Sequence, residues 1–308
     1  MTSIVESEAG AARLKRSAAL AAISVALTLA LIKAAAWWWT GSIAMLASFA
    51  DSALDLAAST LNALAIHHAL RPADREHRFG HGKTEAVAGL GQGVLVGGSA
   101  AFLAVESVRR IVSPEPLANE AWGLAVVGVS IAATLALTLY QRMVLRRTGS
   151  IAIAADRLHY LTDLASNAAV LVALVLAGWL GLLWADGAVG LAIAALVGAS
   201  AWSIMRQSFD HLIDRELPDD ERARIKALAL GVPGVLDVHD MRTRMSGATL
   251  FVQFHAVFDS AMSLAEAHEL ADRAEAAILA AYPGAEILVH QDPSHVVPEM
   301  RRDSFARA

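Results

Sequence analysis

The sequence predicts an α-helical membrane protein with six transmembrane helices and a C-terminal cytoplasmic ferredoxin-like α/β (αββαβ) domain. Of its 308 residues, 56% are hydrophobic and 18% are charged, against about 45–50% and about 25% in soluble domains. The charges are unevenly spread: residues 1–214 hold 15 basic and 15 acidic side chains, whereas residues 215–308 hold 10 and 15. This pattern argues against an ordinary soluble enzyme, a disordered chain or a fibrous protein.

Six stretches of the first part are apolar over the length that a membrane-spanning helix needs, which is about 20 residues. They are Ala18–Trp39, Ser42–Ile66, Ala86–Val108, Ala121–Tyr140, Leu158–Leu183 and Ala185–Met205. The first stretch is longer than the apolar region of a signal peptide, which is about 7–15 residues. It also ends in three tryptophans, which are typical of the membrane interface. We therefore interpret it as a helix rather than as a cleaved signal.

Basic residues predict the orientation of these helices, because they are enriched on the cytoplasmic side of a membrane. They gather before helix 1, between helices 2 and 3, between helices 4 and 5, and after helix 6: Arg13, Lys15, Arg16, Arg71, Arg75, Arg78, Lys83, Arg142, Arg146, Arg147 and Arg206. The opposite side has only Arg109 and Arg110. Both termini are therefore predicted to be cytoplasmic.

The C-terminal part has the pattern of a small α/β domain. Its predicted elements, in order, are helix Asp219–Leu230, strands Val235–Met245 and Thr249–Phe258, helix Ser263–Tyr282 and strand Ile287–His290. This order fits a ferredoxin-like sheet, with a hairpin between the first two strands. We predict a transmembrane domain at 1–214, a cytoplasmic metal-binding domain at 215–292 and a flexible tail at 293–308.

Ionisable residues within the apolar stretches predict a cation site. Asp51 and Asp55 in helix 2 are four residues apart, and so are His159 and Asp163 in helix 5, so each pair lies on one helix face. Charged groups at membrane depth are costly and usually face the bundle interior. Two facing pairs would supply one nitrogen and three oxygen ligands, which suits tetrahedral Zn²⁺. The alternative is two unrelated polar positions that water solvates.

Two further clusters combine histidine with aspartate. Asp74, His77 and His81 follow helix 2, where the glycines on both sides of His81 favour a loop that could wrap an ion. The alternative for this loop is a solvated, charged connector. The other cluster belongs to the C-terminal domain and could form a binuclear zinc site, or be scattered surface histidines; it contains His239, His255, His268, His290 and Asp292.

These clusters account for seven of the eleven histidines. His67 and His68, at the cytoplasmic end of helix 2, are interpreted as interfacial rather than ligating. The chain has no cysteine, which excludes disulfides and thiolate metal sites. Its net charge of −5 gives no indication of a nucleic-acid partner.

From about Leu14 to Pro298, the chain resembles the cation diffusion facilitator family. Within that family, it resembles the bacterial zinc and iron efflux transporters. The resemblance is carried by Phe49–Asp55, by 72–83 with its Phe-Gly-His-Gly-Lys phrase, by Asp156–Asp163, by Leu217–Asp219 and by His290–Pro293. It implies that the three clusters are, in order, the transport site, a loop site and a cytoplasmic binuclear site. It also implies a homodimer with a charge interlock at Lys83 and Asp214.

This resemblance implies a secondary transporter of the bacterial inner membrane that exports a divalent metal in exchange for protons by alternating access. Metal ligands must lose their protons, which couples binding to proton release. A histidine ligand favours Zn²⁺, then Cd²⁺, over harder ions, and leaves Fe²⁺ open. Zinc in the cytoplasmic domain is expected to regulate the dimer. The alternatives are an intramembrane metal enzyme, for which no His-Glu-x-x-His motif exists, a metal sensor or storage dimer, and a channel.

Overall fold

The computed structural model describes residues 8–40, 43–113, 121–180 and 185–295. The chain divides into two compact units, Met1–Phe209 and Asp210–Ala308. Most of the tail predicted at 293–308 lies outside the described residues. Its first residues are held by hydrogen bonds, from the backbone N–H of Ser294 to the carbonyl of Phe258 and from that of His295 to Oγ of Ser260.

The first unit is built from six long helices. They are α1 (Glu8–Thr40), α2 (Ile43–Ala69), α3 (Thr84–Val112), α4 (Ala121–Thr148), α5 (Ile151–Leu180) and α6 (Ala185–Leu212). Within the described residues, four of them contain a stretch long and apolar enough to cross a membrane: Gly10–Trp39, Thr84–Arg109, Gly128–Thr148 and Gly187–Leu212. The helices α2 and α5 are of similar length and carry the predicted transport-site residues.

The helices extend beyond the predicted apolar stretches on their charged side. Only Gly149 and Ser150 separate α4 from α5, so Arg146 and Arg147 form the last turn of α4 instead of a connecting loop. Backbone hydrogen bonding does not stop where apolar sequence ends, and cationic side chains stabilise a helix C-terminus. Gly149 ends the helix in the left-handed region at φ +60°, with its N–H 2.9 Å from the carbonyl of Leu145.

The six-helix unit is apolar outside and also buries polar side chains between its helices. Large apolar side chains such as Phe102 and Leu196 are more than 70% exposed. Small and polar side chains are buried between the helices instead, among them Ser52, Ser59, Asn62, Gln92, Thr134, Gln141 and Asp156. An outer surface of this kind suits lipid, and small or polar residues are what membrane helices use to pack against each other.

The second unit contains α7 (Asp219–Leu230), β1 (Asp237–Ser246), β2 (Thr249–Phe258), α8 (Leu264–Ala281) and β3 (Glu286–Pro293). The sheet has the order β1-β2-β3, with β1 and β2 antiparallel and β2 and β3 parallel. A core that includes Ile225, Val252, Phe254 and Ile278 joins the helices to the sheet. The αββαβ order and the helical membrane unit confirm the predicted fold class.

Register in this sheet brings three histidines into one row. His239 on β1 is paired with His255 on β2, and His255 is paired with His290 on β3. The ladder shifts just after His239, where Asp240 has φ +48°. Paired residues on adjacent strands are about 5 Å apart. The row therefore places three imidazoles side by side without any contribution from a loop.

Candidate metal centres

The first candidate centre lies between α2 and α5 of the membrane unit. His159 Nε2 is 3.0 Å from Oδ1 of Asp55 and 3.9 Å from Oδ2 of Asp163. One ligand atom from each of these three residues lies within 4.8 Å of the others. All three side chains are half-buried, with 15–34% of each exposed. This spacing is compatible with one divalent cation bound by a nitrogen and two or more carboxylate oxygens.

Asp51, the fourth residue predicted for this centre, lies one helical turn before Asp55 but is not part of the group of three. Its side chain is exposed. The structure therefore brings together Asp55, His159 and Asp163, and the ligand role of Asp51 stays a prediction.

Sequence reasoning missed a lysine next to this centre. Lys33 on α1 donates a hydrogen bond from Nζ to Oγ of Ser52, with a length of 2.8 Å, and Ser52 directly follows Asp51. Lys33 is the one charged residue in the apolar stretch 18–39. That isolation was a usable signal, because a charge inside a membrane helix usually has a functional partner.

A buried polar network lies one turn from His159. Asp156 is 1% exposed, accepts a hydrogen bond of 2.7 Å from Nε2 of Gln141 and lies 3.4 Å from Oγ of Ser59. Ser59 also shares a 2.7 Å hydrogen bond with the hydroxyl of Tyr160. This network ties α2, α4 and α5 together beside the first centre. Asp156 is part of the family resemblance, but its partners on α2 and α4 could not be predicted from local spacing.

A buried ion pair braces the membrane unit further along. Nζ of Lys15 on α1 is 2.5 Å from Oε1 of Glu85 on α3, and the two side chains are only 4% and 5% exposed. Ser150, just before α5, donates a 2.6 Å hydrogen bond to Oε2 of Glu85. The carboxylate of Glu85 on α3 therefore connects α3 to α1 and to the residue just before α5. Lys15 was predicted only as part of a basic cluster that sets orientation.

The second candidate centre is the connection between α2 and α3. Asp74 Oδ1 is 3.4 Å from Nδ1 of His77, and Asp74 Oδ2 is 3.4 Å from Nε2 of His81. The three residues offer ligand atoms within 4.8 Å of one another, and their role as metal ligands stays a prediction. His81 is buried, and its Nδ1 has no hydrogen-bond partner within the described part of the chain. A buried imidazole nitrogen of this kind fits a metal ligand.

The loop is preorganised by its own backbone. The N–H of His77 donates to Oδ1 of Asp74 at 2.7 Å, and the N–H of Glu76 donates to the same oxygen at 2.9 Å. These hydrogen bonds, the one from His77 above all, hold the pKa of Asp74 below its usual value. Gly80 adopts φ +76°, which lets the chain turn back toward α3. The carboxylate is therefore ionised and held in place at neutral pH.

The third candidate centre is the histidine row of the second unit. Asp292, on β3, is 2.8 Å from Nδ1 of His255, 3.4 Å from Nε2 of His239 and 3.3 Å from Nε2 of His290. One carboxylate thus contacts three imidazoles, through both of its oxygens. His239 is buried and its Nδ1 is unpaired among the described residues. Because the two oxygens of Asp292 lie close to nitrogens of three imidazoles, this carboxylate is suited to bridge two metal ions.

One residue predicted for this centre is not brought into the histidine row. His268 lies on α8, is about two-thirds exposed, and has its Nδ1 3.7 Å from Oδ1 of Asp272 rather than in the histidine row. Asp214 pairs with Arg244 at 3.4 Å within the second unit. The proposed interlock of Lys83 with Asp214 and the ligand role of His268 stay predictions.

Comparison with known proteins gives the same division of the chain. Residues 19–213 match the family described as the cation efflux transmembrane domain, and residues 217–294 match the cation efflux protein, cytoplasmic domain. The chain is 47% identical over 291 residues to a curated cation-efflux pump FieF of Serratia proteamaculans, covering 94% of this chain and 97% of that protein. A FieF of Yersinia enterocolitica is 46% identical over 290 residues, covering 94% and 96%.

Among solved structures, the zinc form of a putative zinc transporter, CzrB, is 34% identical to this chain. The match covers 28% of this chain and 98% of that one, with a TM-score of 0.26.

Proposed function

Because the chain belongs to the cation efflux family, the cation diffusion facilitators, we propose that it exports Zn²⁺ from the cytoplasm in exchange for protons. The family assignment establishes a transporter of the cation-efflux type. The metal, the coupling to protons, the dimer and its regulation are our proposal. The observation that carries it is the group of Asp55, His159 and Asp163 between two helices of the membrane unit.

Zinc is proposed because of the donor atoms. An imidazole nitrogen together with carboxylate oxygens is a common ligand set for Zn²⁺, whereas Mg²⁺ and Mn²⁺ favour oxygen alone. Asp51 would complete a four-ligand site by turning toward Asp55, from which it is separated by one helical turn. Cd²⁺ shares the preference for this set and is the second substrate proposed; Fe²⁺ is the third.

Proton exchange follows from the same ligands. A metal competes with protons for the imidazole and the carboxylates, so each binding event releases protons and each protonation favours metal release. A histidine is suited to this exchange because its reference pKa, roughly 6.5, is near neutrality. If the group of three opens in turn to the cytoplasm and to the outside, a proton gradient drives net export. The protein is then a secondary transporter and not an enzyme.

The cytoplasmic unit is proposed to regulate this exchange. Its histidine row would hold two zinc ions around Asp292, with His268 as a further ligand once metal is present. Zinc bound there would favour one arrangement of a homodimer and so couple cytoplasmic zinc to transport. The interlock of Lys83 with Asp214 is proposed to hold the two subunits together.

The proposed location is the bacterial inner membrane. The apolar outer surface of the six-helix unit would contact the lipid bilayer, and the basic residues would place both termini in the cytoplasm. The proposed domains, 1–214 and 215–292, are supported by the two compact units and by the two matched families.

Zinc flux into proteoliposomes under an imposed pH gradient tests the proposal. We expect uptake to require the gradient and to reverse with it, and Asp163→Ala to abolish it. His295→Ala is the matched control, since His295 bonds to Ser260 and is outside all three candidate centres. Flux that ignores the gradient would show that zinc moves without proton exchange, and flux through Asp163→Ala would remove the site assignment.

A further inference from the structure

A fourth side chain reaches the loop centre from a different element. His68 lies in the last turn of α2, and its ring meets the ring of His81 edge to face, with the centroids 4.7 Å apart. His77 is in ring contact with His81 as well, at 4.5 Å. Three imidazoles therefore lie in ring contact beside the carboxylate of Asp74, whereas the sequence pattern indicated two imidazoles and one carboxylate. Of these four residues, Asp74, His77 and His81 have ligand atoms within 4.8 Å of one another.

The neighbouring histidine shows that this placement is specific. His67 and His68 are adjacent in sequence, and adjacent residues of a helix point about 100° apart. His67 is exposed, whereas His68 is half-buried and contacts His81. The interpretation of both residues as interfacial therefore suits His67 alone.

The loop centre lacks one ligand if it is made of Asp74, His77 and His81 only. Zinc sites that serve structure are almost always four-coordinate and closed by protein ligands. His81 is 4% exposed in its side chain, and its Nδ1 is a buried nitrogen that no residue in the described part of the chain satisfies. Besides His77, the other imidazole in contact with the ring of His81 is that of His68.

We propose that His68 is the fourth ligand of the loop centre, which would bind one Zn²⁺ through three imidazoles and the Asp74 carboxylate. Bound metal would then join the end of α2 directly to the segment that leads into α3. This inference depends on the proposed function only in assuming that the loop binds zinc; it does not require that the membrane group transports it.

The test isolates the loop centre in the full chain. The variants Asp163→Ala, His239→Ala and Asp292→Ala are combined to silence the other two centres, and Zn²⁺ binding is measured by calorimetric titration in detergent. We expect one zinc per chain. Adding His68→Ala should weaken binding at least about tenfold, since even loss of a residue that only orients a ligand costs about 10–100-fold. Adding His67→Ala, the matched control, should leave the affinity unchanged.

X-ray absorption at the zinc edge counts the imidazole ligands of bound zinc. It can be applied to the parent of this series, in which the other two centres are silenced and His68 is unchanged. Three imidazoles in the parent and two in the His68→Ala variant would support the proposal. Two imidazoles in the parent, or equal affinity of the parent and His68→Ala, would overturn it, and so would the absence of bound zinc. If His68→Ala fails to fold, the imidazole count of the parent still decides. Because the transport group is already disabled, none of these results depends on zinc transport by the unmodified chain.

Discussion

His159 on α5 and Asp55 on α2 are joined directly, with Nε2 of the imidazole 3.0 Å from Oδ1 of the carboxylate. This contact crosses between two helices, whereas the contact of His159 with Asp163 lies within one helix. Separation of α2 from α5 would therefore divide the group between them. A change in the packing of these two helices would expose or dismantle the site, as the proposed alternating access requires.

Asp51→Asn tests whether the membrane site has four ligands or three. We expect zinc transport at subsaturating zinc to fall at least about tenfold, as for loss of a group that supports metal binding. Asp55→Asn is the comparison, because Asp55 belongs to the group of three. If Asp51→Asn transports normally while Asp55→Asn does not, the site has no ligand at Asp51.

Lys33→Met should tighten zinc binding at the membrane site. Lys33 is half-buried and hydrogen-bonds to Ser52, next to Asp51, so its positive charge opposes a bound cation. Removal of about 1 kcal/mol of repulsion corresponds to about fivefold higher affinity. Lys33→Arg keeps the charge and is the control. Weaker binding by Lys33→Met would mean that Lys33 orients the ligands instead of opposing the metal.

Periodicity and residue type were enough to predict the architecture and most of the histidine and aspartate residues that lie together, while their role as metal ligands stays a prediction. Apolar runs defined the helices because a bilayer requires about 20 apolar residues per crossing. Spacing of four residues placed His159 and Asp163 on one face, and both residues contribute to the same group. Alternation and turn residues located both long strands, and β2 has the predicted bounds, Thr249–Phe258.

What could not be predicted depends on contacts between distant residues. The contact of His68 with His81 joins α2 to the loop that follows it, and the ion pair of Lys15 with Glu85 joins α1 to α3. Neither contact is encoded in local spacing. The strand register, which pairs His239 with His255, could not be predicted from the sequence either. The same holds for the position of His268, which lies on the surface of α8.

His239→Ala should weaken zinc binding to the cytoplasmic unit at least about tenfold. His239 is buried at 3.4 Å from Asp292, so its loss removes one nitrogen and leaves the shared carboxylate with fewer partners. The measurement is zinc titration of isolated residues 215–308, which contain their own apolar core. His295→Ala serves as the control. Unchanged binding in His239→Ala would show that this row is not the metal site.

The pH dependence of the loop centre should come from its histidines and not from Asp74. The lowered pKa of Asp74 means that its hydrogen bonds stabilise the loop above the carboxyl group's unfolded pKa, and that this stabilisation is lost as pH falls through the lower, folded pKa. The carboxylate therefore stays ionised from about pH 5 to 8, whereas histidine ligands must be neutral to bind metal.

Zinc binding by the chain with the other two centres silenced should accordingly weaken as pH is lowered from about 7.5 to about 5.5, across the histidine range. Asp74→Asn separates the two roles of the carboxylate, because an asparagine oxygen can still accept the bonds from Glu76 and His77. We expect Asp74→Asn to lower the affinity without unfolding the loop. An affinity that is equal at both pH values would exclude histidine ligands.

Glu85→Gln should be the most destabilising of these changes. It leaves the ammonium of Lys15 buried opposite a neutral amide, and breaking a buried ion pair on one side costs about 3–5 kcal/mol. Lys15→Met together with Glu85→Leu removes both charges and keeps apolar volume, so we expect the double variant to be more stable than either single one. Thermal unfolding in detergent measures this order. A loss in the double variant equal to the sum of the losses in Lys15→Met and Glu85→Leu would show that the two side chains act independently, in which case the pair does not brace α1 against α3.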